Sequence, residues 1–215
     1  MADQASRAGE RYTSPAVLDY VNRTHTPHDD ALTQAFNVPD GVPAIQVGQS
    51  DGKLLSLLLR LVNASKVVEV GTLVGYSAIH LARALAPGGR LWTVEFEPRH
   101  AELAHQNLTA AGLADRVSIL VGAGRDVLPT LTAQGPFDAV FIDADKQNYD
   151  FYGEWAIDNL RSGGLVLGDN AYLFGELVDD SDRARAMRAF HEKVAATCDS
   201  VCAPTPDGLV VGIKR

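Results

Sequence analysis

Between Lys66 and Gly168 the chain repeats one unit, a short apolar run followed by a segment whose apolar residues fall at helical spacing. The runs are Lys66–Gly71, Arg90–Glu95, Val117–Val121, and the stretches opening at Phe137 and Leu165; the intervening segments are 76–86, 99–111, 125–132 and 149–160. A strand buried on both faces reads as a continuous apolar run, whereas a half-exposed one alternates. Each crossover helix must return over a face of the sheet, so the alternation predicts an α/β fold with a parallel, doubly wound sheet. Ser200–Ala203 and Leu209–Ile213 flank Pro204, Pro206 and Gly208, which predicts a terminal hairpin and brings the sheet to seven strands. An open sheet of this kind binds ligands outside the carboxyl ends of its strands.

The remaining segments frame that core. Residues 1 to 14 are polar and aperiodic and read as a loose tail. Ser14 and Pro15 form an N-cap and first-turn pair for a helix through Asn22, and a shorter helical pattern runs from His28 to Phe36. Residues 1–40 are therefore read as tail and accessory helices, and 41–215 as the main domain. These helices could cover a ligand or form a dimer contact. A strongly apolar helix from Lys53 to Val62 precedes the first strand, and another, from Arg183 to Thr197, follows the capping cluster Asp179–Asp182.

At 215 residues with 46% hydrophobic content, the chain suffices for one well-cored domain. A net charge of -8, without clustered Lys and Arg, argues against nucleic acid as a partner. No apolar run approaches the roughly 20 residues of a membrane span, and Met1–Arg7 lacks the apolar centre of a secretory signal. The expectation is a cytoplasmic protein without membrane contact. Cys198 and Cys202 are spaced neither as a redox pair nor as half a zinc site, and read as reduced packing residues. The six histidines form no ligand motif, and most are expected to be solvated or capping.

Chemistry collects where the strands end. The Phe137–Ile142 run stops in Asp143, Asp145 and Lys146, and the Gly164–Gly168 run stops in Asp169–Asn170. Oxygen donors converging from two neighbouring strand tips suit Mg²⁺ or a similar hard cation. An Asp after a strand also serves as a helix cap, and Asp-Asn as a turn pair. At the first strand, Glu69-Val-Gly71-Thr-Leu-Val-Gly75-Tyr-Ser77 joins strand to helix through a glycine turn that backbone and helix amides can present to a ligand. Its G-x-x-x-G spacing departs from the dinucleotide fingerprint, which argues against the alternative of a nicotinamide-dependent oxidoreductase. Glu95 ends the second strand where an acid meets ribose hydroxyls; spacing leaves Glu97, two residues on, as the other candidate, and Glu95 is favoured because it directly follows the strand. Ala123 and Gly124, after the third strand, can lie flat against a base. A nucleoside cofactor with a charged amino-acid tail near Glu69, Gly71 and Ser77 fits, and S-adenosylmethionine is such a molecule.

VEVGTLVGYSA from Val68, FIDADKQNYDFY from Phe141, GGLVLGDN from Gly163 and the terminal DGLVVGIKR resemble the cation-dependent class I O-methyltransferases. That family includes catechol O-methyltransferases and bacterial enzymes of the caffeoyl-coenzyme A O-methyltransferase type. The resemblance covers nearly the whole chain from Ile45 and departs at Gly122–Gly124, where many bacterial members have Gly-Asp-Ala. It implies a Rossmann-like methyltransferase fold with an antiparallel seventh strand. It implies that Asp143, Asp169 and Asn170 hold Mg²⁺ (or Mn²⁺ or Ca²⁺), and that Val47, Glu69, Gly71, Thr72, Ser77, Glu95, Gly124 and Asp143 contact S-adenosylmethionine. Lys146 takes the position of the catalytic base, and a homodimer is implied. The expected reaction is methyl transfer to a hydroxyl of a catechol-like aromatic small molecule; Tyr172, Phe174, Trp155 and residues 33–44 could supply acceptor walls, and each serves equally as core or surface packing. A non-catalytic cofactor-binding protein of methyltransferase type is the other alternative.

Overall fold

A computed structural model describes residues 13–215, so the N-terminal stretch read as a tail lies, up to Tyr12, outside the described residues. Seven strands form one sheet: β1 (Lys66–Val70), β2 (Arg90–Glu95), β3 (Val117–Val121), β4 (Phe137–Ile142), β5 (Leu160–Gly168), β6 (Cys198–Ala203) and β7 (Leu209–Lys214). Their order is β3-β2-β1-β4-β5-β7-β6. The first five pair in parallel, and β7 runs antiparallel to both β5 and β6, as the family resemblance implied. Eight α-helices surround the sheet among the described residues: α1 (Pro15–His25), α2 (Asp30–Phe36), α3 (Gln49–Leu61), α4 (Tyr76–Ala84), α5 (Pro98–Ala110), α6 (Gly124–Leu131), α7 (Tyr149–Asn159) and α8 (Asp182–Thr197). None is long and apolar enough to cross a membrane.

The central strands carry apolar side chains to both faces. Val67, Ala139, Phe141, Leu165 and Leu167 pack with Leu55 and Leu59 of α3, Ile79 and Leu81 of α4 and Leu108 of α5. Val68, Val70, Val140, Ile142 and Val166 pack on the other side with Leu128 of α6, Tyr152 and Trp155 of α7 and Phe190 of α8. Burial of each such side chain contributes about 1.5–3 kcal/mol, so double-sided burial fixes these strands in the middle of the sheet. Leu32 and Ala35 of α2 join the first cluster, whereas α1 buries no residue. Ser14 caps α1, accepting from the Val17 amide at 3.3 Å.

Register places the site. Val70 pairs with Val94 on one side and Ile142 on the other, and Ile142 pairs with Gly168. One step further along, Glu95, Gly71, Asp143 and Asp169 therefore stand in a row across four strand ends. Ladder bonds persist into that row, from Gly71 N to Val94 O (2.9 Å), Asp143 N to Val70 O (2.8 Å) and Asp169 N to Ile142 O (2.9 Å). The strand order reverses between β1 and β4, which is where a doubly wound sheet opens its binding crevice.

Candidate active site

A cavity of about 1040 Å³ opens over that crevice. Its wall includes Val47, Gly71, Thr72, Ser77, Glu95, Ala123, Gly124, Asp143, Lys146 and Asn170, so the fold gathers ten of the sequence-selected residues around one space. Glu69 and Asp169 stand just behind the wall, 0% and 8% exposed.

The floor of the cavity is the β1–α4 turn. Gly71 sits there at φ 98°, and a Cβ on it would lie 1.9 Å from the Asp143 carbonyl oxygen, so only glycine lets β1 and β4 come this close. Glu95 holds the turn from the neighbouring strand, Oε2 accepting the amides of Thr72 (3.1 Å) and Leu73 (2.7 Å), and Oε1 that of Glu97 (2.9 Å). Its acceptor capacity is thus largely committed to backbone before any ribose arrives, a structural role that strand-end position alone did not reveal. Glu97 caps α5 through the Arg99 amide, and of these two glutamates only Glu95 lines the cavity.

Glu69 is a carboxyl inside an apolar strand. Oε2 accepts the Thr93 hydroxyl at 2.6 Å, while Oε1 has no hydrogen-bond partner. Burial, reinforced by the charges of Asp143 and Glu95, pushes its pKa up to about 8 against the opposing pull of the Ser77 and Thr93 hydroxyls. An unmet acceptor directly behind Gly71 and Ser77 fits an ammonium-bearing cofactor tail and is unsuited to a phosphate.

At the β4 and β5 tips, Lys146 Nζ lies 3.0 Å from Asp143 Oδ1 and 3.0 Å from the Tyr149 hydroxyl. Burial, and then the nearby Asp143 charge, push the Asp169 carboxyl well above the usual carboxylate range, against the pull of the Asn170 amide and Lys146. Among the described residues no group of three or more His, Cys, Asp or Glu side chains is arranged to hold a metal, so a site here needs the Asn170 amide as its third ligand. Two carboxylates and an amide carbonyl form an all-oxygen donor set, which fits a hard divalent cation. Asp145 does not pair with the lysine. It accepts the Tyr152 hydroxyl at 2.6 Å and the Asn148 side chain, and it lines the cavity.

Several expectations need correction. Trp155 is not an acceptor wall: it is buried against Phe137, with Nε1 donating to Thr132 Oγ1 at 3.2 Å, because its position on α7 faces the sheet. Tyr172 is also outside the cavity, packed on Gly208, whereas Phe174, Pro43 and Ala44 do line it. Not every histidine is solvated or capping: His25 and His105 are exposed, but three others are engaged in the fold. His80 is buried against Gly52 and Tyr76, and burial drives its pKa down to about 4. His100 lines the cavity with Nδ1 3.6 Å from Glu95 Oε1, and His28 bonds the Tyr76 hydroxyl at 2.8 Å. No residue motif marks these positions; only the packing of α2, α4 and α5 brings them there. Both cysteines are free, Cys198 buried and Cys202 half-buried.

Comparison with known proteins bears on this geometry. The model of a family described as O-methyltransferase matches residues 30–213. A catechol O-methyltransferase of Mycobacterium tuberculosis is 45% identical over 177 residues, 81% of this chain and 80% of that protein. One from Niastella koreensis is 44% identical over 80% of each chain. The crystal structure of an O-methyltransferase from Bacillus cereus in complex with SAH superposes with a TM-score of 0.87 at 36% identity, over 93% of this chain and 97% of that one. TomG, an O-methyltransferase from Streptomyces achromogenes solved with SAM, gives 0.83 at 37% identity, over 93% and 96%. With its Rossmann-like sheet and its glycine turn at the reversal of strand order, the chain belongs to the O-methyltransferase family.

Proposed function

We propose that this enzyme moves the methyl group of S-adenosylmethionine to one hydroxyl of a catechol-like aromatic, with a divalent cation held by Asp143, Asp169 and Asn170. One observation supports the reading: Asp143 and Asn170, at the tips of adjacent strands, line the cavity with Lys146, and Asp169 lies close enough to feel the charges of Asp143 and Lys146. The sulfonium of the cofactor supplies an electrophilic methyl group, open to in-line attack by an oxygen. A hard cation held by Asp143, Asp169 and Asn170 would supply a Lewis acid beside the acceptor's hydroxyls.

The chain's own residues do the rest. Gly71, Thr72 and Ser77 shape the floor for the cofactor tail, with Glu69 behind them. Glu95 keeps that floor rigid through the Thr72 and Leu73 amides. Lys146, held at Nζ by Asp143 and Tyr149, stands where its amine form can take the proton leaving the attacking hydroxyl. Ile45 and Phe174 offer exposed apolar surface at the rim for the acceptor ring.

Turnover of a panel of ortho-diphenols and matched monophenols, followed as S-adenosylhomocysteine release, tests the reading. Activity confined to the diphenols, abolished by EDTA and restored by Mg²⁺, is expected. Full activity in excess EDTA overturns the metal role, and equal rates on monophenols overturn the vicinal-diol requirement. The same reading takes the working unit as a homodimer. Val17, Leu18 and Tyr20 of α1 and Leu57 and Leu61 of α3 are exposed, and Ser50 Oγ donates to Asn22 Oδ1 at 2.8 Å to hold the two helices together. Sedimentation as a monomer at micromolar concentration would refute that part.

A further inference from the structure

An amide can serve a hard cation only through its oxygen, and the side chain of Asn170 can face either way round. What decides its direction lies 37 residues away. Nδ2 of Asn170 donates to Oδ2 of Asp207 at 3.0 Å. An ionised carboxylate only accepts, so it is satisfied by the NH₂ end of the amide and repels the carbonyl end. Asp207 therefore turns the amide oxygen of Asn170 away from itself. Both residues line the cavity that also holds Asp143 and Lys146.

The contact is built rather than incidental. Asp207 lies in the β6–β7 connection, and two backbone bonds fasten that connection to the segment after Asn170: Ala171 N to Gly208 O and Tyr172 N to Asp207 O, both 2.9 Å. Gly208 sits at φ 78°, and a Cβ there would come within 2.7 Å of the Tyr172 ring, so the two segments are in close contact. Asn170 itself has a left-handed backbone, φ 52°, a conformation that Asn adopts more readily than most residues. We infer that Asp207 is a positioning residue: by accepting from Nδ2 it commits the Asn170 oxygen to the divalent cation. The inference rests on the proposed metal site.

Manganese binding, read by electron paramagnetic resonance of free Mn²⁺, tests it on the whole chain. Asp207→Asn keeps the shape but can present either a donor or an acceptor to Asn170. It should weaken Mn²⁺ binding by about 10-fold or more, as outer partners of ligands commonly do, while S-adenosylhomocysteine affinity by calorimetry stays within about twofold. Asn170→Asp supplies the discriminating background, because a carboxylate has no wrong end. There, adding Asp207→Asn should cost no Mn²⁺ affinity, since it also relieves repulsion between two carboxylates. Equal losses in both backgrounds, or unchanged Mn²⁺ affinity of Asp207→Asn when Asn170→Ala binds weakly, overturn the positioning role alone. Wild-type protein that does not bind Mn²⁺ overturns the metal site and this inference with it.

Discussion

The Tyr149 hydroxyl stands 3.0 Å from Lys146 Nζ while lying 2.8 Å from the Asp169 carbonyl and 3.0 Å from that of Ile142. Its single proton goes to a carbonyl, so toward Lys146 it can only accept. A fully buried tyrosine thus ties the lysine to the backbone of both acid-bearing strand tips.

Tyr149→Phe removes that tie without emptying the space. The expected result is a fall in kcat of about 10-fold, equivalent to about 1.4 kcal/mol of lost positioning, with S-adenosylhomocysteine affinity unchanged. Thermal unfolding should also show a loss of about 1 kcal/mol or somewhat more, because buried carbonyls lose a donor. Steady-state kinetics and calorimetry on one preparation separate the two effects. Weakened cofactor affinity with unchanged kcat would contradict the assignment.

Gly71→Ala places a methyl group into the Asp143 carbonyl and forces a non-glycine residue to φ 98°. The strand tips must separate or the turn must refold, at a cost of roughly 3 kcal/mol or more. Cofactor binding, followed by calorimetry with S-adenosylhomocysteine, should disappear even in whatever fraction stays folded. A variant that binds normally would show that the turn has slack the geometry denies.

Glu69 makes stability depend on pH in an unusual direction. Its pKa rises from the ordinary 4.5 to about 8 on folding, so the native state holds a proton that the unfolded chain has released. Stability is complete below pH 4.5 and is lost as pH rises toward 8, by several kcal/mol if the full shift is expressed. Glu69→Gln mimics the protonated form and removes this slope. Urea unfolding at pH 5 and pH 8 should show the variant gaining on wild type as pH rises; a constant difference would mean that the carboxyl is not buried as described.

Phe174 and Trp155 should respond oppositely. Phe174 is 64% exposed at the cavity rim, and Phe174→Ala should raise the acceptor KM by about fivefold, consistent with about 1 kcal/mol of lost ring contact. Trp155 lies in the core, and Trp155→Ala should cost about 3 kcal/mol in stability with little change in KM for the protein that remains folded. Initial rates against acceptor concentration, with unfolding curves alongside, distinguish them.

What could be read from the sequence follows from how local the signal is. Phe137–Ile142 is strand in both readings because five of its six residues are apolar and Asp143 ends the run. β5 begins at Leu160, five residues before its apolar run, since Arg161, Ser162, Gly163 and Gly164 carry no strand pattern and pair only because Phe137 is there to receive Leu160. β6 likewise starts two residues early, at Cys198. The acidic strand tips were legible because register is inherited from the strands behind them. Glu95's grip on the Thr72 and Leu73 amides, the burial of His80 and the Asp207–Asn170 bond were not, since each joins elements that no spacing rule connects. Trp155 misled because an aromatic on a helix shows its direction only once its neighbours are in place.

The position of β7 bears on how the molecule is made. It is inserted between β5 and β6, although both precede it in the chain. A ribosome-bound chain that stops short of Leu209 therefore leaves the edges of β5 and β6 that flank the future β7 unpaired, an arrangement exposed to wrong partners. Completion of the sheet awaits synthesis of the same segment that carries Asp207 and Gly208. Nascent molecules then pass from an incomplete, aggregation-prone sheet to a competent binding crevice in one late step, and premature stop codons in the final hairpin should yield insoluble protein rather than a weakened enzyme.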